Sequence, residues 1–211
     1  MARYIGPVCR MCRREGMKLF FKGNRCMTEK CAFERRGYPP GVHGQRAHRG
    51  SKATNYSIQL REKQKVKRVY GLLETQFRGY FEKVSKRKGV TGELLLQMLE
   101  RRLDNTVFRA GFAESRNEAR QLVRHGHFLV NSKKVNLPSY LIKEGDVIEI
   151  RGKSREDVRL KDAIANLGNK SIPSWLGVEG ENFRARVTAL PARDEILLPI
   201  SEQLIVELYS K

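Results

Sequence analysis

The sequence predicts an α+β fold, mostly helical, with a small antiparallel sheet and a four-cysteine module in front. Three observations predict it. Apolar residues recur at helical spacing through residues 56–125. Short strand-like segments bounded by turn residues follow between 128 and 150. Cys9, Cys12, Cys26 and Cys31 all fall within the first 36 residues. The length of 211 residues allows one or two domains, and 40% hydrophobic content suffices for a modest core.

Charge narrows the class further. The chain carries 42 Lys+Arg against 23 Asp+Glu, a net of +19, which a small metabolic enzyme has little use for and a binder of polyanions needs. The excess is clustered: residues 1–70 hold 18 basic and 4 acidic residues, a net of +14, and residues 101–150 add +3. A basic face with no partner is the plain alternative, but residues 32–55 are also too poor in apolar groups to fold alone. No run of 18 apolar residues is present, and MARYIGPVCR lacks the apolar core of a secretory signal. No membrane partner and no self-assembly are therefore expected.

Taken in order, residues 37–55, GYPPGVHGQRAHRGSKATN, read as an extended Gly- and Pro-rich loop. Tyr56, Leu60, Val66 and Tyr70 share one helical arc, with Arg61, Lys65 and Arg68 opposite; Gly71 ends that helix. Phe77, Tyr80, Phe81 and Val84 make a core-facing stripe, closed by Lys86-Arg87-Lys88-Gly89. Thr91 opens one long helix, with Leu95, Leu96, Leu99, Leu103, Val107 and Ala110 inward, ending at Gly111. Ser115 and Glu118 form a Ser-x-x-Glu capping box for the helix that Gly126 closes. Residues 128–131 and 134–137 read as a hairpin turning at Ser132-Lys133, and 147–150 as a third strand. Farther on, 156–167 reads as a helix, Trp175 as a core anchor, 183–190 as a strand and 201–209 as a short terminal helix.

The cysteines are spaced C-x2-C-x13-C-x4-C, two close pairs joined by a loop, which suits tetrahedral thiolate ligation of one structural zinc ion. Four thiolates also suit an iron–sulfur cluster, the less favoured occupant, and unmetallated or oxidised thiols are the remaining alternative. Arg10, Arg13, Arg14, Arg25 and Lys30 crowd the motif and would favour thiolates. His43 and His48 are nearby but follow flexible Gly-rich sequence, and are expected to touch RNA or solvent rather than the metal.

The segment from Arg101 to Ile150 resembles the small RNA-binding module known as the alpha-L or S4 module. The resemblance is carried by Arg102-Leu103-Asp104, the Ser115–Arg124 helix, Gly126-His127, Val130-Asn131 and Gly145-Asp146. That module also occurs in pseudouridine synthases and tyrosyl-tRNA synthetases. MARYIGPVCRMCRREG, KCAFERRGYPPGVHG, LREKQKVKRVYG and the ending LPISEQLIVELYSK extend the resemblance to the bacterial ribosomal protein family for which the module is named, in its metal-carrying branch. The resemblance implies a structural constituent of the small ribosomal subunit in the cytoplasm. It implies primary binding to 16S-type ribosomal RNA, early nucleation of assembly, contact with the fifth small-subunit protein and a role in translational accuracy. It also implies three parts: 1–50 as a cysteine module with a basic arm; 51–100 as a helical domain completed by about 185–211; and 101–184 as an inserted domain with the module at 101–150.

Candidate RNA contacts follow from the positions of the charges. Arg36, Arg46, Arg49 and Lys52 serve the loop; Arg61, Lys63, Lys65, Lys67 and Arg68 serve the 56–70 helix; and Arg116, Arg120, Arg124, His127, Lys133 and Lys134 serve the module. An RNA-modifying enzyme using the same module would need a catalytic domain outside 101–150. No phosphate loop and no nucleophile paired with a base is present, and Asp104 is expected to orient the module, so no catalytic residue is assigned. A zinc-dependent DNA regulator is the third reading.

Overall fold

A computed structural model describes residues 3–45 and 54–210. The chain divides into two units: residues 1–94 with 198–211, and residues 95–197. The expected domain boundaries at 100/101 and 184/185 thus shift to 94/95 and 197/198, because residues 95–100 and 185–197 pack with the second unit. Leu95, Leu96 and Leu99 are fully buried, and the Gln97 amide donates to the Pro191 carbonyl at 3.2 Å.

The first unit starts with α1 (Cys9–Glu15), a short 3-10 turn at Gly23–Met27 and α2 (Ala32–Arg35), followed by α3 (Asn55–Val69) and α4 (Glu74–Ser85). Thr54 caps α3 by accepting from the Ser57 N–H at 3.3 Å. Gly71 turns the chain with φ +63°, a conformation that glycine adopts at no cost. The terminal helix α9 (Glu202–Tyr209) returns to pack on α3. Its Tyr209 ring stacks on Phe81 at 4.6 Å and on Phe77 at 6.2 Å. The inward face of α3 consists of Gln59, Lys63, Val66 and Val69, whereas Tyr56, expected inward, is 59% exposed.

The second unit takes up most of α5 (Thr91–Glu100) and adds α6 (Leu103–Arg109) and α7 (Arg116–His125). The single helix expected over 91–110 is broken at Arg101-Arg102. There the backbone pairs sideways: Leu103 N–H donates to Tyr140 O at 2.8 Å, Asp104 N–H to Pro138 O at 3.2 Å, and Ile142 N–H to Arg101 O at 2.9 Å. Helical periodicity survives the break because both pieces bury the same kind of face. Ser115 caps α7, accepting from the Glu118 N–H at 3.3 Å. The Glu118 carboxylate reaches back to the Glu114 N–H at 2.8 Å, one residue beyond the reciprocal bond of a capping box.

Five antiparallel strands follow, β1 (Phe128–Val130), β2 (Lys133–Lys134), β3 (Val147–Ile150), β4 (Leu176–Glu179) and β5 (Arg184–Val187), in the order β2-β1-β3-β5-β4. Helix α8 (Val158–Ala165) sits between β3 and β4 in sequence, capped by Asp157. Phe128, Val130, Ile148, Ile150, Ala185 and Val187 point to one face and join Leu103, Val107, Leu122, Val123 and Trp175 in one core. Lys170 ties helix ends together, its ammonium donating to the Gly111 and Ala163 carbonyls at 2.7 and 3.2 Å.

Glu74 links the helices of the first unit. Its carboxylate accepts from Lys63 Nζ at 2.6 Å, Lys67 Nζ at 2.9 Å and Tyr209 Oη at 2.9 Å. Burial alone would raise its pKa, but those three donors outweigh it and hold the carboxyl at about 2. The folded state therefore binds that proton less readily than the unfolded chain. The stability contributed by Glu74 is complete above pH 4.5 and is lost as pH falls towards about 2. Glu74→Gln should accordingly lower the urea midpoint at pH 6, with the gap to the unsubstituted protein narrowing steadily below pH 4.5. A gap independent of pH would contradict the assignment.

Candidate nucleic-acid interface

The second unit presents its cations where α7 ends and the β1–β2 hairpin turns. Gly126 closes α7 with φ +76°, and a Cβ there would lie 2.4 Å from Lys134 Cε, so the lysine side chain crosses directly over the glycine. The hairpin turn is formed by Asn131 and Ser132, with φ +49° and +65°, one residue earlier than expected. Two successive positive φ values match the right-handed twist of the flanking strands, and asparagine tolerates them well. The turn is held from below. Asn131 Nδ2 donates to Asp146 at 2.8 Å, Val147 N–H donates to Asn131 Oδ1 at 2.9 Å, and Lys143 N–H donates to Asp146 at 2.7 Å. Arg124, Lys133 and Lys134 are exposed and make no ion pair among the described residues.

His127 sits beside them, half-buried. Burial lowers its pKa, only partly opposed by the Asp157 carboxylate, so at neutral pH its ring is uncharged. It is available to RNA as a hydrogen-bonding group rather than as a cation. The ring stacks near His125 at 6.1 Å.

The other two arginines expected at this surface serve the interior. Arg120 is 3% exposed and Arg102 is 1% exposed, and both bond the same carboxylate. Arg102 donates to Asp104 at 3.1 and 2.7 Å, and Arg120 donates to it at 3.2 Å. Arg116 lies over the Phe108 ring at 4.5 Å and donates to Asn105 Oδ1 at 2.8 Å. Glu100, itself 1% exposed, accepts from Asn105 at 2.7 Å and from Arg109 at 2.9 and 3.1 Å. The step of four along α7 was legible, but its first two members point inward because two buried acids await them.

The cations of α3 are likewise engaged. Lys63 is buried, bonded to Glu74 and lying over the Tyr209 ring at 5.4 Å. Lys67 shares Glu74. Lys65 pairs with Glu62 and donates to the Pro199 carbonyl at 3.2 Å. Arg68 pairs with Glu15, and Arg61 stands 3.6 Å from the same carboxylate. Burial raises the Glu15 carboxyl despite those arginines. Arg36 is exposed at the end of α2. Arg46, Arg49 and Lys52 lie outside the described residues, as does His48.

The cysteines form the core of the N-terminal segment. Cys12, Cys26 and Cys31 are buried, Cys9 is half-buried, and none of the four is in a disulfide. The Cys12 thiol is pushed up by burial, and the neighbouring Cys9, Cys26 and Cys31 push it the same way, while the Leu19 N–H opposes. The donor chemistry and the clustering fit a thiolate-held ion. The side chains as placed are not a formed ligand set, because among the described residues no three His, Cys, Asp or Glu groups converge to hold one. Arg13 secures the next loop, donating to the Tyr38 and Pro39 carbonyls at 2.9 and 3.3 Å.

Residues 3–100 match the family described as the ribosomal protein S4/S9 N-terminal domain, and residues 101–148 match the S4 domain. The chain is 61% identical to small ribosomal subunit protein uS4 of Syntrophus aciditrophicus over 211 residues, covering both chains entirely. It is 59% identical over the same full span to uS4 of Citrifermentans bemidjiense, and 57% identical to uS4A of Myxococcus xanthus. The chain belongs to the uS4 family of small ribosomal subunit proteins. It is thereby a structural, ribosomal RNA-binding protein and not an enzyme.

Sequence reasoning singled out Asn131 and Asp146 as part of the resemblance but missed that they bond each other and hold the turn. The signal was an Asn one residue after an apolar strand and an Asp after a turn glycine, at Gly145-Asp146. The two kinds of arginine on α7 separate experimentally. Asp104→Asn should destabilise the second unit by about 3–5 kcal/mol, as removal of one partner from a buried ion pair does, measured by denaturant unfolding. Arg124→Gln should leave unfolding unchanged and weaken RNA binding.

Proposed function

We propose that this chain is a primary binder of small-subunit ribosomal RNA that nucleates assembly of the subunit in the cytoplasm. In this reading it lies beside the fifth small-subunit protein and contributes to translational accuracy. The observation that carries the reading is the set of uncompensated cations, Arg124 in the last turn of α7 and Lys133 and Lys134 just after a turn held by side-chain hydrogen bonds. RNA helices expose phosphates and 2′-hydroxyls on a wide, shallow groove, so a binder gains most from fixed charges on a preorganised surface. Arginine adds bidentate pairing with phosphate, and lysine acts as a point charge. Affinity for small-subunit RNA should fall steeply between 50 and 200 mM salt, by about 10³-fold if roughly six phosphates are contacted. Salt-insensitive binding would overturn the electrostatic account, and preference for duplex DNA would favour a DNA regulator instead.

The four cysteines are assigned to one structural zinc ion, with Cys9, Cys12, Cys26 and Cys31 as ligands and an iron–sulfur cluster as the competing occupant. The mutual proximity of buried thiols in a segment with few other core residues supports this. A bound zinc would supply cross-linking only, since four thiolates leave no open position. Elemental analysis should return about one zinc per chain and no visible absorbance; a coloured, iron-containing protein would assign the cluster. Cys9→Ser with Cys12→Ser should loosen residues 1–36 to amide exchange while leaving residues 95–197 protected.

A further inference from the structure

We infer that the corner between α4 and α5 is a second phosphate-binding face for RNA, formed by Lys83, Lys86, Arg87 and Lys88. This rests on the RNA-binding reading above and relocates the main cationic contact of the helical part of the first unit, away from α3. All four side chains are exposed, and none makes an ion pair among the described residues. Two of the acids carried by α4 are engaged elsewhere. Glu74 is occupied by Lys63 and Lys67, and Glu82 is bonded to Arg78 at 3.0 Å. Glu93, in the first turn of α5, pairs with none of the four. The α3 cations, by contrast, are each engaged with Glu15, Glu62 or Glu74.

The corner is also preorganised. Arg87 N–H donates to Val84 O at 2.9 Å and Ser85 Oγ to Glu82 O at 3.2 Å. Gly89 turns the chain with φ +126°, and a Cβ there would approach Leu94 Cδ1 to 3.2 Å, so the turn is packed against the start of α5. Lys83 lies on the last turn of α4, Lys86 is its C-cap, and Arg87 and Lys88 follow at once in the turn, so the four charges are gathered at the C-terminal end of one helix. The ordinary alternative is that these cations only offset the dipole at the C-terminus of α4.

The two accounts divide in one experiment on the full chain. The variant K83Q/K86Q/R87Q/K88Q is compared with the unsubstituted protein and with R159Q/K161Q/K153Q/R184Q, which removes equal charge elsewhere. Binding to small-subunit ribosomal RNA is measured across a salt series, and thermal unfolding alongside. The corner variant should lose about tenfold or more in affinity and flatten the slope of log K against log salt by about 3, with unfolding unchanged and the control variant much less affected. Unchanged affinity, with or without a lowered unfolding temperature, would overturn the proposal in favour of dipole compensation. Equal losses in both variants would overturn it in favour of net charge alone. If the quadruple variant does not fold, the pair K86Q/K88Q must still flatten the slope, by about 1.5, or the proposal fails. Salt-insensitive binding by the unsubstituted protein would instead refute the broader RNA reading.

Discussion

The carboxylate of Asp104 is the constraint on which the second unit depends. It lies buried between the guanidinium groups of Arg102 and Arg120, and it also accepts the Asn105 N–H at 3.0 Å. Arg102 sits at the point where α5 stops and the backbone pairs with 138–142; Asp104 is in the first turn of α6; Arg120 is in the middle of α7. One carboxylate thus ties two helices and the break between them. A buried ion pair is weak evidence for stability, since desolvation consumes most of its attraction. Its effect is on geometry. A hydrophobic substitute would let α6 and α7 slide, whereas two guanidiniums sharing one acid admit a single arrangement. That arrangement sets where α7 ends and hence where Arg124, Gly126 and Lys134 stand.

The same economy operates across the chain. A protein with a net charge of +19 has few acids available, and it uses each internal one more than once. Glu74 serves two lysines and a tyrosine, Glu100 serves Asn105 and Arg109, Glu15 serves two arginines, and Asp104 serves two. Each shared acid holds several donors at once, so one carboxylate organises more than one element. The cations therefore sort into two populations: those neutralised inside helix pairs, and those left bare at turns and helix ends. The proposed RNA contacts belong to the second population.

That sorting marks the limit of what the sequence makes legible. Local signals that depend on a few neighbouring residues were readable: the Ser115 cap and Gly126 stop of α7, the hairpin and the stripe of α4. Signals that depend on a distant partner were not. Lys63 lies among apolar neighbours because Glu74 and Tyr209 meet it there, and Arg120 is buried because Asp104 lies sixteen residues back. The break at Arg101-Arg102 was invisible because the sideways pairing with 138–142 leaves no mark on periodicity. Strand β4 was missed because Leu176 to Glu179 is short, includes Gly177, and becomes a strand by pairing with β5. Family resemblance, resting on the whole chain, was stronger than any of these single readings.

The cysteine segment follows the same logic on a smaller scale. Helix α1 has only seven residues, too few to be stable alone, and few apolar side chains from 3–36 beyond Leu19 and Phe21 join the cysteines in burial. Its attachments are ionic and polar. Glu15 reaches Arg61 and Arg68 on α3, Arg13 holds the 38–39 backbone, and Lys18 pairs with Glu34 of α2. These contacts fix the outside of the segment and leave its centre to the four sulfurs. If the proposed zinc is bound, its tetrathiolate would carry charge −2, and Arg10, Arg14, Arg25 and Lys30, all exposed, are the cations of the same segment. Their positive charge would thus be drawn on twice, to stabilise thiolates within and phosphates without. A basic segment folded around such a centre would keep its shape without a large apolar core, and its surface would stay available to the RNA of the proposed function.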